Sequence, residues 1–246
     1  MRTELTIVVP LLGANRELDQ ELERLGQSLI KFSISAEVVI VATSDRFHLE
    51  FEKYEEISSK SLLKIRAITS ESHVGKNGLG QLLRLGNALA DSRYVFFLIL
   101  EGKYDPDFLP RALTACRRGS PLVIANRFHK QNQEISGARQ SFFQQKTFRN
   151  LFRIFRILLP QDSTNSTRLF DKRIFDALAI SGNGWDMLAE QTIKTQLVGE
   201  KIDVIDSNIP TFTREGDFKL PTLDLVFGLL RLSIRSLFHK LSLPWF

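Results

Sequence analysis

The chain has 246 residues, 43% hydrophobic and 25% charged, enough to bury a core of its own and incompatible with wholesale disorder. Its single cysteine, Cys116, excludes an internal disulfide and a thiolate zinc cluster. The net charge of +5 is uneven: Arg111 to Arg156 holds ten Lys/Arg against one acid, Glu134, and Val226 to Phe246 holds Arg231, Arg235 and Lys240 with no acid, a pattern that suits phosphate-bearing partners or an anionic membrane surface.

Leu5–Val9 (LTIVV) is short, apolar and β-branched, which predicts a buried strand closed by Pro10. Glu17–Ile30 carries Leu18, Leu22, Leu25 and Leu29 at helical spacing. Glu37–Ala42 (EVVIVA) reads as a second strand and Leu63–Ile68 as a third; Gly78–Ala90 reads as a helix, Tyr94–Leu100 as a fourth strand and Leu122–Ala125 as a fifth. Strands alternating with helices predict βαβ units, a mainly parallel sheet and helices on both faces. Ligands of such sheets lie beyond the carboxyl ends of the strands. Attention therefore falls on Pro10–Asn15, Thr43–Arg46 and Glu101–Asp107.

Past Arg127 the pattern changes. Phe142, Phe143, Phe148, Leu151, Phe152, Phe155 and Leu159 form one side of an amphipathic helix, with Lys146, Arg149, Arg153 and Arg156 on the other. Aromatic and cationic faces combined in this way suit a helix lying at a membrane interface. Glu190–Val198 predicts a further helix, Lys201–Ile205 an edge strand, and Leu223–Leu243 a final amphipathic helix ahead of the interface-type residues Trp245 and Phe246. MRTELTIVVP is too short and too charged for a signal peptide, and no apolar run approaches the ~20 residues of a membrane span. The four histidines show no metal spacing, and the basic region lacks a nucleic-acid motif. The expected organisation is a domain over 1–220 and an amphipathic membrane-surface helix over 221–246.

Four segments in order resemble the dolichol-phosphate mannosyltransferase branch of the inverting family-two glycosyltransferases, over roughly Thr6 to Leu220. TIVVPLLGANRELDQ is similar to that family's strand, proline and loop into a helix. KNGLGQLLRLG followed by ALADSRYVFFLILEGKYDPDFLP is similar to its glycine-rich helix start, apolar strand and Asp-Pro-x-Phe-x-Pro exit. QDSTNSTRLF with DKRIFDAL resembles its Asp-x-Thr-Ser-Gly-Phe-Arg-Leu-Phe segment, and IPTFTREGDFKL its Val-Pro-Ile-x-Phe-x-x-Arg…Gly-x-Ser-Lys-Leu segment. The resemblance implies an α/β GT-A fold. It also implies transfer of a sugar from a nucleotide-sugar donor to a polyprenyl phosphate or other lipid acceptor, with a Mg²⁺ or Mn²⁺ cofactor, at the cytoplasmic face of a membrane.

The same resemblance implies site residues. Pro10, Arg214 and Lys219 would contact the nucleotide or its phosphates. From the residues themselves, Asp45 stands in for nucleotide-reading acids or closes its strand in an Asx turn; Gly78 and Gly80 let backbone approach a phosphate at a helix N-terminus or make a tight helix entry; Lys76 touches phosphate or is solvated. Asp162 and Arg168 would lie about the acceptor, with Arg168 on a phosphate, or would pair with each other and order the loop; Glu190 would be a positioner, since a phosphate acceptor is already an anion and needs no general base, or an ordinary helix-face acid. Two motifs depart from the family. Its nucleotide-reading acidic pair is Ala42 and Thr43 here, with Asp45 two residues on, and its metal-binding Asp-x-Asp is Ile99, Leu100 and Glu101. Three readings follow: Glu101 alone holds an ion together with phosphate oxygens and waters; cationic side chains stabilise the leaving diphosphate without metal; or the fold is kept as a catalytically degenerate module that binds a lipid, glycan precursor or protein.

Overall fold

A computed structural model describes residues 3–11, 18–43, 63–70, 78–99, 107–127 and 159–207, together with positions 105, 146, 149, 150, 153 and 231. The elements are β1 (Leu5–Leu11), α1 (Leu18–Lys31), β2 (Ala36–Thr43), β3 (Leu63–Ser70), α2 (Leu79–Leu89), β4 (Tyr94–Phe97), α3 (Phe108–Arg117), β5 (Leu122–Asn126), β6 (Arg168–Asp171), α4 (Lys172–Ala177), α5 (Asp186–Leu197) and β7 (Ile202–Asp206). The seven strands form one sheet in the order β3-β2-β1-β4-β6-β5-β7. β1 pairs parallel with β2 and β4, β2 with β3, and β5 with β7. β6 alone runs antiparallel, between β4 and β5.

Side chains alternate across the sheet and feed two cores. Leu5, Ile7, Val9 and Leu11 of β1 pack with Leu18, Leu22, Leu25 and Leu29 of α1 and with Phe108, Leu109 and Leu113 of α3. Val8, Val95 and Phe97 face the other way, toward Leu79 and Leu83 of α2 and Met187 and Leu188 of α5. Cys116 lies in the first core, where burial pushes its thiol up to about 12 and leaves it inert as a nucleophile.

The expected strands and helices of this part are present with small changes of boundary, and three elements are additional. β6 is only RLFD, with a charge at each end and no apolar run to announce it. α3 contains Pro110 in its first turn, where a missing N–H costs no helical bond. α4 is six residues long, capped by Asp171 accepting from Arg173 N. The fourth strand stops at Phe97 rather than Leu100. The Phe142–Arg156 and Leu223–Leu243 helices lie outside the described residues except for Lys146, Arg149, Asn150, Arg153 and Arg231, each helical and exposed. No helix among the described residues is long and apolar enough to cross a membrane.

Candidate active site at the carboxyl end of the sheet

The strand order reverses at β1, which has β2 on one side and β4 on the other. In open α/β sheets this switch point, at the carboxyl ends, opens the crevice that takes a ligand. Pro10 shows how the crevice starts. Leu98 N donates to Val8 O at 3.0 Å, so the even residues of β1 turn their backbone polar groups toward β4. The β1–β4 ladder ends at Val8 and Phe97. Pro10, lacking an N–H, therefore falls one step past the ladder and breaks no bond. Ala42, in register with Leu11, and Thr43, in register with Ser70, are at the same edge. The positions where the resemblance expects nucleotide-reading acids are thus at the open end, and one of them is a fully buried alanine.

Polar side chains tie the neighbouring exits together. Asp105 accepts from Ser207 Oγ at 2.9 Å and from Asp107 N at 3.0 Å, joining the segment after β4 to the end of β7. Ser207 N donates to Asn126 O at 3.1 Å, and Asn126 Nδ2 donates to Asp206 at 2.6 Å. Arg127, directly after β5, is held by Asp162: its backbone N, Nε and Nη2 donate to that carboxylate at 2.9, 2.8 and 2.7 Å. Asp162 is fully buried, has φ +55° and also accepts from Asn165 Nδ2 at 3.1 Å. A left-handed backbone is one that Asp tolerates better than most residues.

Arg168 corrects an expectation. Its Cα lies at the open end, in register with Phe97 and Ile124, but its side chain is fully buried against α5. Nε donates to Asn165 O at 2.8 Å; Nη1 donates to Leu188 O at 2.7 Å and to Gln191 Oε1 at 3.1 Å; Nη2 donates to Ser163 O at 3.2 Å. Burial lowers its pKa to about 9, opposed by the nearby Asp162 charge, which leaves it protonated at neutral pH. A guanidinium spent on protein carbonyls is a brace between the 162–165 turn and α5, not a free phosphate clamp. Asp162 likewise pairs with Arg127 and not with Arg168.

Gly80 brings a second correction. It was expected to let backbone approach a phosphate, yet its N–H donates to Asn183 O at 2.8 Å and the loop before α5 fills the space. A Cβ there would lie 2.5 Å from Gly182 O. Gly78 stands at the N-cap of α2 with no side-chain capping bond. Glu190, on α5, is nearly fully buried and accepts from Gly182 N at 2.7 Å, Ser181 N at 3.1 Å and Lys194 Nζ at 2.8 Å. Burial acts to raise its pKa, but Lys194 and the two amides outweigh it and the net shift is downward. Asp45, Lys76, Glu101, Arg214 and Lys219 lie outside the described residues.

Among the described residues no group of three or more His, Cys, Asp or Glu is placed to hold a metal. Among the described residues, the buried carboxylates Asp105 and Asp162 are engaged as above, and β4 runs out through buried Leu98 and the partly buried Ile99, which packs against the second core. The described residues therefore do not by themselves fit a divalent ion. Sequence reading missed Arg127 and Arg84. The first was findable as the residue leaving a buried parallel strand; the second, one turn beyond Gly80, gave no sequence signal because its partners, the Gly182 carbonyl and the Asn183 side chain, lie about a hundred residues along the chain.

No protein-family profile matches the chain. A curated dolichol-phosphate mannosyltransferase from Pyrococcus furiosus is 21% identical over 196 residues, covering 78% of this chain and 53% of the relative; the chain spans about half the length of that protein. Among solved structures, mannosyl-3-phosphoglycerate synthase from Rubrobacter xylanophilus superposes with a TM-score of 0.66 at 12% identity, covering 98% of this chain and 76% of that one. Glucosyl-3-phosphoglycerate synthase from Mycobacterium tuberculosis, in complex with Mn²⁺, uridine diphosphate and phosphoglyceric acid, superposes with a TM-score of 0.61 at 15% identity, covering 98% and 80%. The architecture is the GT-A fold of nucleotide-sugar transferases. In sequence the chain is similar to the family-two glycosyltransferases, as its four motifs imply.

Proposed function

We propose that the chain is an inverting hexosyltransferase that moves a sugar from a nucleotide-sugar donor to a polyprenyl phosphate at the cytoplasmic face of a membrane. The observation that carries this reading is the reversal of strand order at β1, the place where open α/β sheets take their ligand. A phosphate oxygen of the acceptor attacks the anomeric carbon as the bond to the nucleotide diphosphate breaks, and the diphosphate leaves with the electron pair. Arg214 and Lys219 are the proposed phosphate-binding cations, with Lys76 and Asp45 toward the nucleotide. Glu101 is the proposed single protein ligand of a Mg²⁺ or Mn²⁺, which when bound neutralises charge on the leaving diphosphate. Mn²⁺ in the mycobacterial synthase complex supports that assignment.

A lipid acceptor is supported by the Pyrococcus relative and by exposed Lys146, Arg149, Arg153 and Arg231. Both synthase neighbours carry phosphoglycerate in their names, so the assay needs both acceptor types. Sugar transfer from UDP- and GDP-hexoses is measured with polyprenyl phosphate in vesicles and with phosphoglycerate, with Mg²⁺ and with chelator. Transfer to the lipid that falls in folded Glu101→Ala supports the reading; a folded variant with undiminished turnover removes Glu101 as ligand. A second reading, a binding module with a degenerate site, is favoured by Ala42 in place of an acid and by the apolar Ile99 after β4. Nucleotide-sugar binding without turnover on any acceptor would favour it.

A further inference from the structure

The loop between α4 and α5 is fastened at almost every step. Leu178 O and Ala179 O accept from Lys194 Nζ, both at 3.0 Å. Ser181 N and Gly182 N donate to Glu190. Gly182 O accepts from Arg84 Nη1, and Asn183 Oδ1 accepts from Arg84 Nη2 at 2.7 Å. Asn183 O takes the Gly80 N–H, and Gly184 N donates to Asp186 at 3.0 Å. A loop whose polar groups are satisfied by fixed side chains is held in one conformation.

Its position gives that rigidity a use. α2 packs on β1 and β2 and follows β3, so its first turn lies at the open end of the sheet. The loop rests on that turn, so it too stands at the open end of the sheet, where ligands of such folds bind. The amides of Gly80, Ser181, Gly182 and Gly184 are already donating to protein oxygens, so this wall has few N–H groups left for a diphosphate. Its contribution is shape.

We propose that Gly80, Arg84 and Glu190 are positioning residues that seat the 181–184 loop on α2 and make it the wall against which the acceptor meets the donor sugar. The consequence for transfer rests on the proposed function; the seat itself rests on geometry alone. Gly80 is required for closeness. A Cβ would lie 2.5 Å from Gly182 O and 2.7 Å from the Asn183 carbonyl carbon, backbone atoms that cannot swing aside. Alanine ordinarily stabilises a helix relative to glycine; here it would push the loop away. Arg84 and Glu190 then grip the loop from opposite helices.

Trp185, the residue after Gly184, reports the loop's position, and the only other tryptophan is Trp245. In a Trp245→Phe background, Gly80→Ala, Arg84→Ala and Glu190→Gln are compared with the parent by Trp185 emission, by calorimetry with a UDP- or GDP-hexose, and by transfer to polyprenyl phosphate in vesicles. Circular dichroism confirms folding, and Arg84→Ala, at a partly exposed site, is the variant least at risk. The expected result is a shift of Trp185 emission in the same direction in all three, with transfer falling at least about tenfold more than donor affinity. Unmoved emission with weakened donor binding in Gly80→Ala would restore a phosphate cradle and overturn the seat. Moved emission with parental transfer would overturn the wall. A parent that binds no donor removes the proposed function and the wall with it, while the emission comparison still decides the seat.

Discussion

Arg168 sits in a four-residue strand in the middle of the sheet, with its whole side chain out of water. Burying a guanidinium is tolerable only when its donors are met, and here carbonyls of Asn165, Ser163 and Leu188 and the Gln191 side chain meet them. Lysine cannot replace that planar fork. Arg168→Lys and Arg168→Ala, which leave buried carbonyls without their donors, are therefore expected to destabilise the fold by about 2–4 kcal/mol, measured by denaturant unfolding. A variant of parental stability that had lost nucleotide binding would return Arg168 to a phosphate. Asp162→Asn should cost about 2 kcal/mol by leaving Arg127 without its carboxylate, and Asp162→Asn combined with Arg127→Ala should cost less than the sum of the two single changes. Exact additivity would mean that the pair is not coupled.

Glu190 sets a pH dependence at the same scale. Its folded pKa lies below its ordinary value of 4.5, so the stabilisation it brings is fully present above that value and is lost as pH falls through the folded pKa. The parent should lose more stability between pH 5 and about 3 than Glu190→Gln does, read as unfolding midpoints across that range. Parallel curves would contradict the assignment. Glu190 and Asp162 could be singled out in the sequence, because residue type and motif register survive in the letters. Their partners did not show. Which way Arg168 points depends on packing against α5, about twenty residues along the chain, and that the Gly80 N–H meets Asn183 O depends on segments about a hundred residues apart.

At the scale of elements, the parallel strands were legible because each is a short apolar, β-branched run. β6 was not, because RLFD takes its strand state from β4 and β5 on either side rather than from its own pattern. That one antiparallel strand carries Arg168 to the open end and joins the two halves of the sheet. Helix ends were also under-read. α1 closes with Ile34 N donating to Leu29 O at 2.9 Å around Ser33, which has φ +53° and is exposed. This is the closing turn that glycine usually occupies. Ser33→Gly should stabilise the protein by about 0.5–1 kcal/mol, because relief of the left-handed strain exceeds the added chain entropy. Thermal unfolding checks it, and a lower melting temperature would show that the serine side chain supports the turn.

At the scale of the whole molecule, charge points to a surface. Lys146, Arg149 and Arg153 recur at helical spacing and are exposed, and each basic residue near an anionic bilayer contributes about 1 kcal/mol. Flotation with phosphatidylserine vesicles should show binding that weakens with salt and is lost when the three residues are changed together to glutamate. Binding to neutral vesicles of equal strength would contradict an electrostatic surface. The central claim is that the end of the sheet between β1 and β4 receives a nucleotide-sugar. Its most direct test is calorimetric titration of the parent chain with a panel of UDP- and GDP-hexoses in Mg²⁺. Saturable one-to-one binding of at least one of them, displaced by the matching nucleoside diphosphate, is expected. Absence of heat and of displacement across the whole panel would contradict it.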